Sequence, residues 1–137
     1  MVMKLGTQTA SLMNHLESRA TIGQPEPAVG MGATLLGWTD RYAGTIVEVL
    51  PQKNGSVIVK VQHDRSKVVA GSTMSEDQIW EHERDPNGTV ECFRRKADPN
   101  GPWERVVLNE LTNRWGKMGS GKGLVLGRRE CYRDPCF

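Results

Sequence analysis

Two identical tight-turn tetrapeptides, with a short strand-like stretch between them, constrain the fold of this chain more than any other feature. Asp-Pro-Asn-Gly occurs at 85–88 and again at 98–101. Proline sets φ for the first turn position, and Asn-Gly tolerates the left-handed conformation that many tight turns use. The stretch between the two turns, TVECFRR, and the stretch after the second, PWERVVL, are therefore predicted to be neighbouring strands of a meander.

The stretch SVIVKVQ (56–62) alternates cleanly between apolar and polar positions. Val57, Val59 and Val61 fall on one side of a strand, which predicts a core on one face of the sheet. The preceding Asn54-Gly55 is typical of a hairpin turn. Further strands are predicted at 33–38, 44–50, 78–83 and 123–127, whereas 39–44 reads as a turn, 63–77 as a long polar loop and 109–123 as a polar, glycine-rich connection.

The first 32 residues differ from the rest of the chain. Residues 7–20 predict a helix with an apolar stripe of Leu12, Met13 and Leu16, and Pro25 and Pro27 make 21–32 a linker. We therefore divide the chain into a helical arm with its linker (1–32) and a β-rich ligand-binding domain (33–137). Short strands with regular turn signals predict a mainly β fold, a small bent sheet or barrel-like meander with one N-terminal helix arm.

Composition excludes several functional classes. The 137 residues carry a net charge of only +2, which argues against electrostatic binding of a nucleic acid polymer. Residues 86–137 carry +4 and residues 1–85 carry −2, so an anion site is expected in the second half. No apolar run reaches the roughly 20 residues that span a bilayer. The absence of a signal-peptide pattern and the odd count of three cysteines predict a cytoplasmic protein with reduced thiols.

Sequence patterns for catalysis, metals and cofactors are weak. The stretch GKMGSGK (116–122) resembles a phosphate-binding loop, but Gly123 stands where Ser or Thr should follow the lysine, and a strand follows instead of a helix. Cys131 and Cys136 lack a second ligand pair nearby. We find no serine elbow and no pair of carboxylates suited to acid–base chemistry. No catalytic residue, metal or cofactor is therefore assigned, and the chain is not expected to be an enzyme.

Arginines beside aromatic residues are the strongest chemical signal. Guanidinium groups bind phosphates in a bidentate manner and stack on flat rings, and an adjacent aromatic side chain can hold a base. At the C-terminus such a cluster fits equally well a binding site or a solvated charged face. The candidate ligand-binding residues are Arg41, Arg65, Phe93, Arg128, Arg129 and Arg133.

Three segments carry a resemblance to a known family. GMGATLLGWTDRYAGTIVEV (30–49), MSEDQIWEHERDPNG (74–88) and the ending LGRRECYRDPCF resemble the phage Thoeris anti-defence sponge family. The resemblance implies a protein that sequesters cyclic ADP-ribose-type immune signals intact, some members also taking cyclic oligonucleotides of the CBASS defence. It also implies pockets at subunit interfaces, dimers that assemble into a hexamer, and a location in the infected host cell.

The resemblance also implies a role for each candidate residue. Arg41 and Arg65 would be phosphate ligands, Phe93 would stack on the adenine, and the three C-terminal arginines would clamp the base and pyrophosphate. The chain departs from the family pattern at 96–102 and in the length of 109–123, so neither Asn100 nor Asn109 is assigned a contact.

Three functional hypotheses follow. The first is a sponge for a small anionic cyclic nucleotide signal such as glycocyclic ADP-ribose, which self-associates and binds neither membrane nor nucleic acid polymer. The second is a small β-barrel interaction module that binds nucleic acid or a partner protein. The third is a phosphodiesterase or hydrolase that acts on the same signals.

Overall fold

The computed structural model describes residues 25–37, 39–71, 78–98, 101–118 and 123–132. Within these ranges the chain is mainly β, as predicted, and contains no helix. The helix predicted at 7–20 lies outside them. The nine strands are β1 (Gly32–Leu36), β2 (Arg41–Pro51), β3 (Val57–His63), β4 (Arg65–Gly71), β5 (Gln78–Glu83), β6 (Val90–Arg95), β7 (Trp103–Asn109), β8 (Arg114–Lys117) and β9 (Gly123–Leu126).

Seven strands form one antiparallel sheet in the order β8-β7-β6-β3-β2-β1-β9, and β4 pairs with β5 in a separate hairpin. The predicted meander describes β1 to β3 and β6 to β8, where neighbours in the chain are neighbours in the sheet. It does not describe β9, which returns to the opposite edge and pairs with β1. Strands β7 and β9 approach each other, so the sheet is strongly curved.

The hydrophobic core lies on the concave face. Val59 and Val61 are fully buried there, as the alternation predicted. The expectation of a core on one face only is wrong, because Ile58 points the other way and is only 1% exposed. The core cluster consists of Ala33, Leu35, Ile46, Val59, Val61, Phe93, Trp103, Leu124 and Leu126.

Three predicted connections differ from the structure. The turn at 39–44 is wrong because β2 already begins at Arg41, and the chain reverses at 37–40, where the Gly37 amide donates to the Asp40 carbonyl over 2.9 Å. The loop at 63–77 is wrong because Arg65–Gly71 pairs with β5. In 109–123 the sequence missed β8, which pairs with β7. Polar side chains concealed β4 and β8 because these strands are largely solvated. At the start of β2 the polar Arg41 is instead buried within the strand.

The Asn54-Gly55 hairpin turn is confirmed. Gly55 has a φ of 89°, and the Asn54 side chain accepts hydrogen bonds from the Ser56 amide and hydroxyl. In both Asp-Pro-Asn-Gly segments the glycine amide donates to the aspartate carbonyl over 2.9 Å. Neither Asn87 nor Gly88 adopts the left-handed conformation that these residues tolerate. Gly88 is required for another reason, since a Cβ there would lie 2.2 Å from the His63 carbonyl oxygen.

Replacing Gly88 by alanine is therefore expected to destabilise the fold by about 1–3 kcal/mol, because backbone must move to admit the methyl group. Chemical denaturation monitored by circular dichroism measures this. Gly116→Ala is the matched control, since a Cβ at Gly116 meets nothing within 4 Å. Equal stability of the two variants would show that the close approach at Gly88 costs nothing.

The described part of the predicted linker lies against the sheet. The Gly30 amide donates to the Ile46 carbonyl, and the Ile46 amide donates to the Met31 carbonyl. Glu26 forms an ion pair with Arg95, 3.2 Å from its guanidinium. Residues 25–31 therefore pack with the β domain.

Among the described residues there is no helix whose length and apolar character would let it cross a membrane.

Candidate functional site

The C-terminal segment 128–132 is fixed on the convex side of β1 and β2. The Thr34 hydroxyl donates to the Arg128 carbonyl and accepts from the Glu130 amide, over 2.9 and 3.0 Å. Arg41 and Tyr132 exchange a pair of backbone hydrogen bonds. Thr34 is fully buried, so these bonds are shielded from water. This docking carries the arginines of the segment to the N-terminal end of β2.

Three predicted ligand residues lie on β2 and the docked segment, and we call them the arginine cluster: Arg41, Arg128 and Arg129. Arg41 and Arg128 share one carboxylate, and Arg129 is held by another. The Arg41 guanidinium donates to the Glu130 carboxylate, whose other oxygen lies 3.1 Å from Arg128 Nε. The carboxylates of Glu130 and Asp64 form ion pairs with the arginines of the cluster.

Arg129 is held by two partners. Its Nε donates to Asp64 over 2.9 Å and its terminal nitrogen donates to the Thr45 hydroxyl over 3.0 Å. Thr45 in turn donates to the other Asp64 oxygen over 2.8 Å. Because each side chain is fixed by another, the guanidinium is preorganised, which lowers the entropy lost when a ligand binds.

The electrostatics of this face favour an anion. Three guanidinium groups face two carboxylates, so the local charge is +1. The side chain of Arg41 is buried, whereas those of Arg128 and Arg129 are 49% and 33% exposed. Arg41 is therefore suited to positioning Glu130, and Arg128 and Arg129 are suited to meeting a ligand.

The remaining predicted ligand residues lie elsewhere. Arg65 is on the exposed face of β4, 3.6 Å from the Asp85 carboxylate, and is not joined to the arginine cluster. Arg133 lies outside the described residues.

Phe93 is a core residue in this structure. Its ring is only 1% exposed, and the Arg105 guanidinium lies 6.0 Å from the ring centroid. A base could stack on this ring only if the surrounding side chains moved. The stacking role given to Phe93 therefore conflicts with its burial, and the function proposed below does not use it.

Sequence reasoning missed the hairpin β4–β5 as part of this region. Ser66 and His82 face each other across it, with the Ser66 hydroxyl 2.9 Å from His82 Nδ1. Burial lowers the pKa of His82, Asp64 opposes that shift, and Arg129 adds to it. His82 and Ser66 lie at the end of the hairpin that follows Asp64. Ser66 and Val68 alternate with charged residues, a pattern that could have predicted strand β4, but the polar composition of the stretch obscured it.

A second polar network lies on the concave face and is structural. The Glu91 carboxylate bonds to His63 Nε2 and, over 3.0 Å, to Arg105 Nε. The hydrogen bond from His63, with a smaller contribution from Arg105, lowers the pKa of Glu91 to about 2 although its burial acts in the opposite direction. Tyr42 packs on the His63 ring and donates to Asp40 over 3.0 Å. The network joins β2, β3, β6 and β7.

Acid is expected to weaken the fold through Glu91. The folded pKa lies below the ordinary value of 4.5, so this contribution is fully present above about pH 5 and disappears as the pH falls toward 2. The shift corresponds to roughly 2–3 kcal/mol. Denaturation curves at pH 7, 5 and 3 measure the loss, which Glu91→Gln should reduce. Glu81→Gln removes an exposed carboxylate and is the control. An unchanged pH dependence in Glu91→Gln would contradict the assignment.

The stretch that resembles a phosphate-binding loop leads into β9 at Gly123, so a strand follows it, as predicted. In the described ranges no three His, Cys, Asp or Glu side chains gather as metal ligands would.

Comparisons of this chain with protein-family models, curated proteins and solved structures find no match.

Proposed function

We propose that this protein binds a small anionic cyclic nucleotide, of the glycocyclic ADP-ribose or cyclic oligonucleotide type, and sequesters it without cleaving it, as a phage anti-defence sponge does. The arginine cluster is the observation that supports this proposal. Its two partly exposed guanidinium groups, those of Arg128 and Arg129, belong to neighbouring residues of the docked segment, and the cluster has a positive local charge. Guanidinium groups are the side chains best matched to phosphate oxygens.

The way the cluster is built suits retention of a ligand. Arg129 is held by Asp64 and Thr45, and the backbone of 128–132 is pinned by buried Thr34. Fixed donors lose little entropy when a ligand binds, and slow release follows from such preorganisation. In this proposal the residues of the cluster bind and orient the phosphates and transfer no proton.

A capture-and-release experiment tests the proposal. The protein is mixed with cyclic ADP-ribose isomers and with cyclic di- and trinucleotides, filtered, and then heat-denatured, and both filtrates are analysed by chromatography. We expect one ligand to disappear from the first filtrate and to return unchanged after heating. Retention of none of them would overturn the proposal. Conversion of a ligand would also overturn it, and would direct attention to the Ser66–His82 pair as nucleophile and base.

A module that binds a partner protein is the second candidate. It is favoured by exposed apolar side chains around β7 and β8, where Val107, Leu108 and Met118 accompany Leu111, which is 98% exposed. Apolar groups gathered on a surface mark interaction sites. Light scattering of wild type and Leu111→Ser tests this candidate. Loss of a self-associated state in the variant, in a protein that retains no cyclic nucleotide, would support it, and identical behaviour would count against it.

A further inference from the structure

The hairpin β4–β5 has two chemically different faces. Ser66, Val68, Trp80 and His82 alternate along its half-buried face, while the opposite face carries charged side chains and the exposed Ile79. An isolated two-stranded sheet is marginally stable in water, so its half-buried face is expected to serve packing or binding. We call the set Ser66, Val68, Trp80 and His82 the hairpin wall.

The hairpin wall continues from the arginine cluster. Asp64, which holds Arg129, immediately precedes β4 in the chain. Ser66 therefore lies only two residues from the carboxylate that binds Arg129. His82 pairs with Ser66 across the hairpin, with the Ser66 hydroxyl 2.9 Å from His82 Nδ1, so both side chains lie at the end of the hairpin next to Asp64.

Along the wall the chemistry changes from polar to aromatic. The pair Ser66–His82 comes first, and the pair Val68–Trp80 follows two residues further on. Two residues of strand span about 7 Å, which is comparable to the reach from a phosphate across a ribose to its base. Trp80 donates its indole N–H to Gln78 over 3.0 Å, so the ring has a fixed orientation while part of it remains accessible.

We propose that the hairpin wall is the nucleobase half of the ligand site, with the ring of Trp80 stacking on a base whose phosphates lie on Arg128 and Arg129. His82 and Ser66 lie between these two points and face the ribose. This inference rests on the proposed function, since it requires the anion site at the arginine cluster. It assigns the stacking role to Trp80 in place of Phe93, whose ring is buried. The recognised ligand is then a nucleotide and not a simple phosphate.

Two probes separate the base from the phosphates. Cyclic ADP-ribose carries both, whereas inorganic pyrophosphate carries only the anionic part. Isothermal titration calorimetry with each probe is compared for wild type, Trp80→Ala, Trp80→Phe and Ile79→Ala. Ile79→Ala is the matched control because it truncates an apolar side chain on the opposite face of the same strand. Circular dichroism verifies that every variant is folded.

We expect Trp80→Ala to weaken cyclic ADP-ribose binding roughly 10- to 100-fold, because stacking on an aromatic ring supplies that much affinity. Its affinity for pyrophosphate should be unchanged, Trp80→Phe should keep most of the cyclic ADP-ribose affinity, and Ile79→Ala should behave as wild type. Unchanged cyclic ADP-ribose affinity in Trp80→Ala would overturn the inference while leaving the anion site intact. The inference would also be overturned, with the anion site intact, if wild type bound pyrophosphate but not cyclic ADP-ribose. Failure of wild type to bind either probe would overturn this inference, and if the capture experiment also retained no cyclic oligonucleotide, the proposed function would be overturned with it.

Discussion

Replacing Phe93 by alanine is expected to destabilise the folded protein by about 3–5 kcal/mol, the largest stability effect that we predict for a single substitution. Phe93 is 1% exposed and belongs to the core cluster together with Val59, its partner on β3. Truncation leaves a cavity that neighbouring strands cannot fill, and it removes the ring that faces Arg105. Urea denaturation monitored by circular dichroism gives the change in the free energy of unfolding.

The same position tests whether Phe93 contacts ligand. Phe93→Leu keeps most of the apolar volume, so we expect a smaller loss of stability and, where the variant is folded, wild-type affinity for cyclic ADP-ribose. Leu111→Ala, at an exposed site, should change neither quantity. A Phe93→Leu variant of full stability that no longer binds the nucleotide would restore the stacking role that the resemblance implied.

Replacing Arg129 by alanine is expected to weaken binding of cyclic ADP-ribose or pyrophosphate roughly 10- to 100-fold. A hydrogen bond to a charged group contributes about 1.5–3 kcal/mol, and each 1.4 kcal/mol corresponds to a factor of ten. Removal of the guanidinium also frees Asp64, whose carboxylate then repels the ligand. Calorimetry measures the affinity, and it should depend less on salt in the variant than in wild type because one cation is lost.

Two further variants separate position from charge. A Cβ at Gly32 would lie 2.7 Å from an Arg129 terminal nitrogen, so Gly32→Ala should displace the guanidinium tip without changing the charge of the protein. We expect it to weaken binding less than Arg129→Ala does. Arg114→Ala removes one positive charge from an exposed strand far along the sheet order, and should leave affinity near wild type. Equal losses in Arg129→Ala and Arg114→Ala would mean that only net charge matters.

Much of the fold could be predicted because it depends on local patterns. The alternation in 56–62 marked β3, the Asp-Pro-Asn-Gly repeat marked the turns on either side of β6, and QIWEHE marked β5 with its observed bounds. Strands with polar solvated sides were missed, as β4 and β8 show. Their pairing energy comes from hydrogen bonds to a neighbouring strand, which local composition does not record.

The candidate site could be predicted only in part. The sequence drew attention to Arg41, Arg128 and Arg129; the structure joins Arg41 and Arg128 through Glu130 and holds Arg129 on Asp64. Phe93 was predicted as a ligand residue because arginines follow it directly in the sequence. Neighbouring side chains of a strand point to opposite faces of the sheet, however, and the ring of Phe93 points into the core. Arg65 is separated from the cluster for the same reason, because its side chain points to the opposite face of β4 from that of Ser66.

The sequence by itself determined that this protein is mainly β, where its principal turns lie, and that its arginines concentrate in the C-terminal half. These properties follow from φ preferences, side-chain alternation and charge, all of which act within a few residues. Only the tertiary structure decided that β9 returns to β1, that residues 128–132 dock on Thr34 and Arg41, and that Asp64 and Thr45 hold Arg129. Such contacts join residues far apart in the chain, and their formation depends on the packing of the whole sheet.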